Sequence, residues 1–288
     1  MNDLIDVQRL AASDGKTGVI LDASLHLPGA RRDARAEFIA GHIPGARFLD
    51  LATLTDPAAE APGAVPNAEQ FAERLRALGV SADDKVVLYD DSALRTSARA
   101  WFIFRLYGWR DVAVLDGGLA AWRAAGLPLE AGEAEPVRSS LSSADLRPAS
   151  DTLRDKAQVL GNLRTRREQI VDARDEGRFT GSSADTVHGL PGGHIPGARN
   201  LPFTRLLTGN GRFRDADEMR GVFADAGVDL REPIVGSCGS GVTASVVLFA
   251  ARRLGAERVA LYDGSWLDWG ADPATPKETG PARPGGAV

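Results

Sequence analysis

"GHIPGAR" fills Gly41–Arg47, and the same seven letters return at Gly193–Arg199, an offset of 152 positions. Chance does not produce a seven-residue identity in a chain of 288 residues. Other stretches recur at nearly the same offset. "VILDAS", ending at Ser24, resembles "QIVDAR", ending at Arg174. "FAERLRALGVSADDKVVLYD" (71–90) parallels "MRGVFADAGVDLREPIVGSC" (219–238), and "LDGGLAAW" (115–122) parallels "YDGSWLDW" (262–269). The period is far too long for a solenoid and has the length of a whole domain, duplicated and fused.

Both copies have the same order of elements. Short β-branched runs at Val19–Leu21, Val86–Tyr89, Ile170–Val171 and Ile234–Val235 predict buried parallel strands. Helix-like segments lie between them at Gln70–Leu78, Thr96–Tyr107, Glu218–Ala226 and Thr243–Leu254. Each stops at a glycine, Gly79, Gly108, Gly227 or Gly255, the residue expected just past a helix end. This alternation predicts an α/β fold with a mainly parallel sheet in each copy, flanked by helices. The copies are read as residues 1–132 and 151–288. The stretch 133–150 is the linker, because 130–152 has no hydrophobic period. The tail from Ala271 is expected to be extended or poorly ordered.

The bulk numbers bound the function. A hydrophobic fraction of 43% with 25% charged residues describes a soluble globular chain. A net charge of −5 argues against a nucleic-acid partner. The uncharged stretch Gly236–Ala251 is too short and glycine-rich to span a membrane. The opening "MNDLIDVQRLAAS" lacks the apolar core of a signal peptide. A single cysteine cannot form an internal disulfide, which suggests a reducing, cytoplasmic setting. With no second cysteine, and with His26, His42, His188 and His194 lacking metal-motif spacing, no metal site is expected.

That cysteine, Cys238, lies in "GSCGSGVTAS" (236–245), between a strand and a helix. In an open α/β sheet, ligands bind beyond the C-terminal ends of strands. The loop glycines let several N–H groups point inward, and the following helix adds the positive end of its dipole. Thr243 is placed to cap that helix or to donate its hydroxyl. The loop suits negative charge on sulfur, or on something bonded to it. The first copy is an internal control. Its aligned loop, "YDDSALRTSA" (89–98), has no glycine and sets Asp90, beside Asp91, where Cys238 stands. The second copy is therefore expected to be active and the first structural.

These residues resemble the tandem rhodanese-domain sulfurtransferases, from about Val19 to Trp269. "CGSGVTA" (238–244) is similar to the active loop of the 3-mercaptopyruvate branch, and "DGSW" (263–266) and both "GHIPGA" stretches are also like the family. The resemblance implies two rhodanese folds, only the second catalytic, and no metal or organic cofactor. It implies that Cys238 takes sulfur from a small-molecule donor as a persulfide, with the N–H groups of Gly239, Ser240, Gly241, Val242 and Thr243 around the outer sulfur. It implies a thiol, cyanide or sulfur-carrier protein as acceptor. Arg178 matches a substrate-binding arginine. Asp33, His42 and Ser240 match a proton-handling trio proposed for that branch, although His42 is repeated as His194, which favours a role in the fold. Trp266 is expected to pack rather than to contact substrate. Where the branch carries a second arginine, nine residues after Arg178, this chain has Val187.

Three rivals are weighed. Thiosulfate as donor fits the same fold, and the missing arginine favours it. The neutral Gly239 and Ser240 favour 3-mercaptopyruvate, since thiosulfate users carry basic residues there. A cysteine phosphatase needs arginine at the sixth position after its cysteine, and here that residue is Ala244. A non-enzymatic rhodanese-like binding module describes the first copy but not the intact loop of the second.

Overall fold

The computed structural model describes residues 3–13, 18–133, 138–149 and 151–282. The chain divides into two units. Met1–Asp56, Val65–Ala149 and Asn210–Arg212 form the first; Pro57–Ala64, Ser150–Gly209 and Phe213–Val288 form the second. The first contains strands β1 (Leu4–Ile5), β2 (Val19–Asp22), β3 (Arg47–Phe48), β4 (Val86–Tyr89) and β5 (Val112–Leu115). The second contains β6 (Leu153–Arg154), β7 (Gln169–Asp172), β8 (Arg199–Asn200), β9 (Ile234–Ser237) and β10 (Val259–Tyr262). The sheet orders are β1-β5-β4-β2-β3 and β6-β10-β9-β7-β8, one permutation written twice. Among the described residues every pairing between these strands is parallel; in the second sheet Val235 lies opposite both Ile170 and Ala260.

The helices repeat in step. The first unit has α1 (Val7–Ala11), α2 (Ala34–Ala40), α3 (Ala68–Ala77), α4 (Ser97–Leu106) and α5 (Gly118–Ala124). The second has α6 (Lys156–Thr165), α7 (Glu176–Thr180), α8 (Ala216–Asp225), α9 (Val242–Arg253) and α10 (Ser265–Trp269). Capping explains most starts. Asn67 and Gln70 form a reciprocal capping box on α3, and Asp215 with Glu218 does the same on α8. Helix α9 differs. Its N-cap is Gly241 at φ 76°, with no side-chain cap. A glycine is needed because that left-handed conformation strains residues with a Cβ. The helix holds without a cap because Val246, Val247, Leu248 and Phe249 are all fully buried. Each such side chain stabilises the fold by about 1.5–3 kcal/mol.

Matching residues build the two cores. Phe38, Ile43, Val87, Ala113 and Trp122 are buried together in the first unit; Phe179, Ile195, Val235, Ala260 and Trp269 are buried together in the second. The repeated histidine serves this framework in both. His42 stacks on Phe38 at 4.0 Å, and its Nδ1 is 2.8 Å from the Phe38 carbonyl. His194 stacks on Phe179 at 3.8 Å, with Nδ1 2.8 Å from that carbonyl.

The structure sharpens two sequence expectations. Much of the tail from Ala271 is docked. Trp269 Nε1 donates to the Pro276 carbonyl at 2.8 Å, Thr275 is buried, and Glu278 exchanges backbone hydrogen bonds with His194 at 2.9 Å. The first unit does the same with Pro128 and Glu130 against Trp122 and His42. Two buried tryptophan N–H groups each need an acceptor, and an extended tail supplies one. The stretch read as linker also packs. Leu141 and Leu146 are buried, and the Arg147 and Ala149 N–H groups donate to the Tyr107 and Leu106 carbonyls. Isolated anchors of this kind leave no period in the sequence. Residues 134–137, 150 and 283–288 of these two stretches lie outside the described residues. Among the described residues no helix is long and apolar enough to cross a membrane.

Candidate active site

Cys238 follows β9 directly and is 2% exposed. Its loop is tied down from one side by the start of α10. The Trp266 and Leu267 N–H groups donate to the Cys238 and Gly239 carbonyls at 3.0 and 2.9 Å. Ser265 supplies the centre of the arrangement. Its Oγ accepts from the Cys238 N–H at 3.1 Å and the Gly241 N–H at 3.2 Å, and donates to the Tyr262 carbonyl at 2.8 Å. That uses the hydroxyl's one donor and both lone pairs. Ser265 holds φ at 50°, an uncommon conformation for a residue with a side chain.

The expected cradle therefore differs at one point. The Gly241 N–H is already spent on Ser265. The N–H groups of Gly239, Ser240, Val242 and Thr243 have no acceptor among the described residues. Thr243 does not cap α9, since the N-cap is Gly241, and Ser240 Oγ has no hydrogen-bond partner among the described residues. The open N–H groups sit at the positive end of a twelve-residue helix, where an anion is stabilised.

The first copy shows what such a loop does with an acidic side chain of its own. Asp90 is 1% exposed. Its Oδ1 accepts from the Ser92 N–H at 2.9 Å; its Oδ2 accepts from the Ser97 N–H at 2.9 Å and the Ser97 hydroxyl at 2.5 Å. A fixed carboxyl group, its pKa pushed up by burial, has taken the donors at the start of α4. The surrounding frame is kept: Leu119 N–H donates to the Asp90 carbonyl at 3.0 Å, as Trp266 does to Cys238.

A buried cation stands beside the cysteine. Arg174, just past β7, has a side chain with no exposure. Its Nη2 donates to Asp172 Oδ2 and to the Gly193 carbonyl, both at 2.6 Å, and its guanidinium lies 4.6 Å above the Trp266 ring. Burial works against its charge, but Asp172, Asp185 and the Cys238 sulfur offset this and hold its pKa above the usual arginine value. Arg174 Nη1 and Asp185 Oδ2 face each other at 3.7 Å, both buried and both without a hydrogen-bond partner. Asp185 Oδ1 meets His188 Nδ1 at 3.0 Å and Arg178 Nη1 at 3.6 Å. Burial pushes the Asp185 carboxyl up, yet the His188 bond and the two arginines bring it below the ordinary range. Arg178, on α7, also donates to Asp175 through Nε at 2.5 Å.

A rhodanese-like domain model matches residues 7–125 and again 155–272. The chain belongs to the rhodanese family. Its relatives include the 3-mercaptopyruvate sulfurtransferase of Mus musculus, 42% identical over 252 residues that cover 87% of this chain and 84% of that one. The Escherichia coli (strain K12) protein of the same name is 40% identical, covering 90% of this chain and 91% of its own. Thiosulfate sulfurtransferase of Bos taurus is 38% identical, covering 92% and 91%. The crystal structure of a 3-mercaptopyruvate sulfotransferase from Escherichia coli superposes with a TM-score of 0.83 at 36% identity, over 92% of this chain and 99% of that one.

The structure places Cys238, Gly239, Ser240 and Gly241 in one loop, with Val242 and Thr243 opening α9. Arg178 reaches the Asp185–His188 cluster in the same unit. Asp33 and His42 belong to the first unit, where each has a local task. Asp33 is the N-cap of α2, accepting from the Arg35 and Ala36 N–H groups at 3.0 Å. Among the described residues no three His, Cys, Asp or Glu side chains gather as a metal site requires. Sequence reasoning missed Arg174, Asp185, His188 and Ser265. A signal existed in the differences between copies: Arg174 aligns with Ser24, and Ser265 with Gly118. Asp33 and His42 are nine positions apart, but the matching Asp175 and His194 are nineteen apart. The added stretch carries Asp185 and His188.

Proposed function

We propose that this protein is a sulfurtransferase that takes sulfur from 3-mercaptopyruvate and passes it to a thiol, cyanide or a sulfur-carrier protein through a persulfide on Cys238. The Cys238 thiolate attacks the donor sulfur. The carbon–sulfur bond breaks with its electron pair on carbon. The resulting enolate takes the donor's sulfhydryl proton and leaves as pyruvate, and a persulfide anion remains on Cys238. The observation that carries the reading is the set of open N–H groups at Gly239, Ser240, Val242 and Thr243 around a cysteine at a strand end. They would stabilise the outer sulfur as an oxyanion hole stabilises an oxygen. The buried Arg174 adds positive charge, and no metal or organic cofactor is called for.

Arg178, whose side chain is partly exposed, would bind the donor carboxylate by paired hydrogen bonds. Ser240, with a free hydroxyl beside the cysteine, would handle a proton. The resemblance assigns Asp33 and His42 to proton handling too; we assign both to the fold, because their polar atoms are engaged within the first unit. That unit is a structural copy whose loop is filled by Asp90. A cytoplasmic location rests on the lone cysteine. Thiosulfate is the second reading for the donor. It is favoured by Val187, an exposed apolar residue where the branch has its second arginine.

The test is intact mass after exposure to 3-mercaptopyruvate. Wild type gains one sulfur atom and releases pyruvate, and Cys238→Ser gains none. A sulfur gain in Cys238→Ser refutes the mechanism. A much larger kcat/KM with thiosulfate moves the reading to that donor.

A further inference from the structure

His188 lies on the cysteine loop. A Cβ built on Gly239 would come within 2.2 Å of His188 Cε1, 2.9 Å of Nδ1 and 3.1 Å of Nε2. The imidazole thus occupies the space that any other residue at 239 would fill, one position from Cys238. Its ring is fixed from behind, with Nδ1 3.0 Å from Asp185 Oδ1. Asp185 has a side chain with no exposure, and Arg174 and Arg178 face it at 3.7 and 3.6 Å. Two guanidinium groups keep that carboxylate ionised, so it can only accept, and Nδ1 must carry the proton. In the neutral ring the lone pair is then on Nε2, which has no partner among the described residues. The charged groups nearest the ring's support are Asp185, bonded to Nδ1, and Arg178 and Arg174, which face Asp185, while Cys238 precedes the Gly239 on which the ring lies. An acid, an oriented imidazole and a sulfur nucleophile's loop stand in the order used for base catalysis.

We propose that His188, held by Asp185, is the general base for thiol acceptors in the second half-reaction. This rests on the Cys238 persulfide reading above. Nε2 takes the sulfhydryl proton of an acceptor R–SH and passes it to the outer sulfur of the persulfide. The acceptor thiolate bonds to that sulfur, and the bond to Cys238 Sγ breaks with its electron pair on Sγ. R–S–SH leaves and the Cys238 thiolate is restored, with no oxidant or reductant required.

The test compares two acceptors on the same persulfide. A small thiol must lose a proton to attack. Sulfite at about pH 8 attacks through a lone pair that carries none, whereas a free thiol ionises only near 8.5. His188→Gln is expected to lower the ratio of thiol to sulfite kcat/KM about 4-fold at pH 8, where about a quarter of such a thiol is already ionised, and about 30-fold at pH 7, where about 3% is. The ratio recovers as pH rises past the thiol's own ionisation. Should His188→Gln fold poorly by its urea midpoint, Asp185→Asn serves instead. It keeps the shape, removes the charge that sets the tautomer, and is expected to lower the same ratio. An equal fall with both acceptors makes His188 a prop for Gly239 and overturns the proposal, as does an unchanged ratio. Failure of wild type to form any persulfide overturns the function itself instead.

Discussion

Replacing Ser265 by alanine removes one oxygen from beneath the Cys238 loop. That oxygen holds two N–H groups, those of Cys238 and Gly241, at 3.1 and 3.2 Å, and all three residues sit in a buried setting. Each orphaned donor costs about 1–3 kcal/mol. Some relaxation is certain, so Ser265→Ala is expected to lose about 2–4 kcal/mol. Ser265→Gly loses the same bonds but relieves φ of 50°, a conformation that costs a residue with a Cβ about 1–2 kcal/mol. The first copy already uses Gly118 at this point, with φ 57°. The order of stability should therefore be wild type, then Ser265→Gly, then Ser265→Ala, with about 1 kcal/mol between the variants. Urea midpoints at constant slope measure this. Persulfide formation should slow about 10–100-fold in both variants, since a small displacement of a reacting group has that effect. A loss below about 0.5 kcal/mol in Ser265→Ala, the size of an ordinary surface change, would refute the reasoning. So would Ser265→Gly falling below it.

Two further outcomes follow from the paired copies. Burial raises the Asp22 carboxyl to about 6 from an ordinary 3.8, with no guanidinium where the second copy has Arg174. The folded chain then holds that proton more tightly than the unfolded chain. The contribution is full below about pH 4 and is lost as pH rises through about 6, worth up to roughly 3 kcal/mol. Asp22→Asn should raise Tm at pH 8, with the gain shrinking toward pH 4; a gain independent of pH refutes this. His42→Ala and His194→Ala should each lose about 2–4 kcal/mol through the same stack and buried hydrogen bond. At temperatures well below melting, His42→Ala should change kcat/KM less than about 3-fold, a difference under 1 kcal/mol. A loss of two orders of magnitude there would restore a catalytic His42.

The repeat made the fold legible. Parallel strands buried on both faces leave unbroken apolar runs, and those runs located β2, β4, β7 and β9. Two of them run one residue beyond the apolar stretch, to Asp22 and Asp172, because strands that feed a site finish in polar residues. Cys238 was legible by position and by its contrast with Asp90. Arg174 was not, because a lone arginine in a sequence reads as a solvated surface residue.

The amino-acid sequence by itself determined a duplicated α/β chain with one cysteine loop intact and the other replaced. These are facts of pattern, and a local pattern suffices to specify strands, helices and their turns. Only the tertiary structure decided what surrounds Cys238. Ser265 and Trp266 reach it from 27 and 28 positions further on, and Asp185 and His188 from about 50 positions before. Hydrogen bonds and charges act over a few ångströms in space, whatever the separation along the chain. The arginine that neutralises this site and the imidazole that lies on its loop therefore became visible only when the sheet brought β7, β9 and β10 side by side.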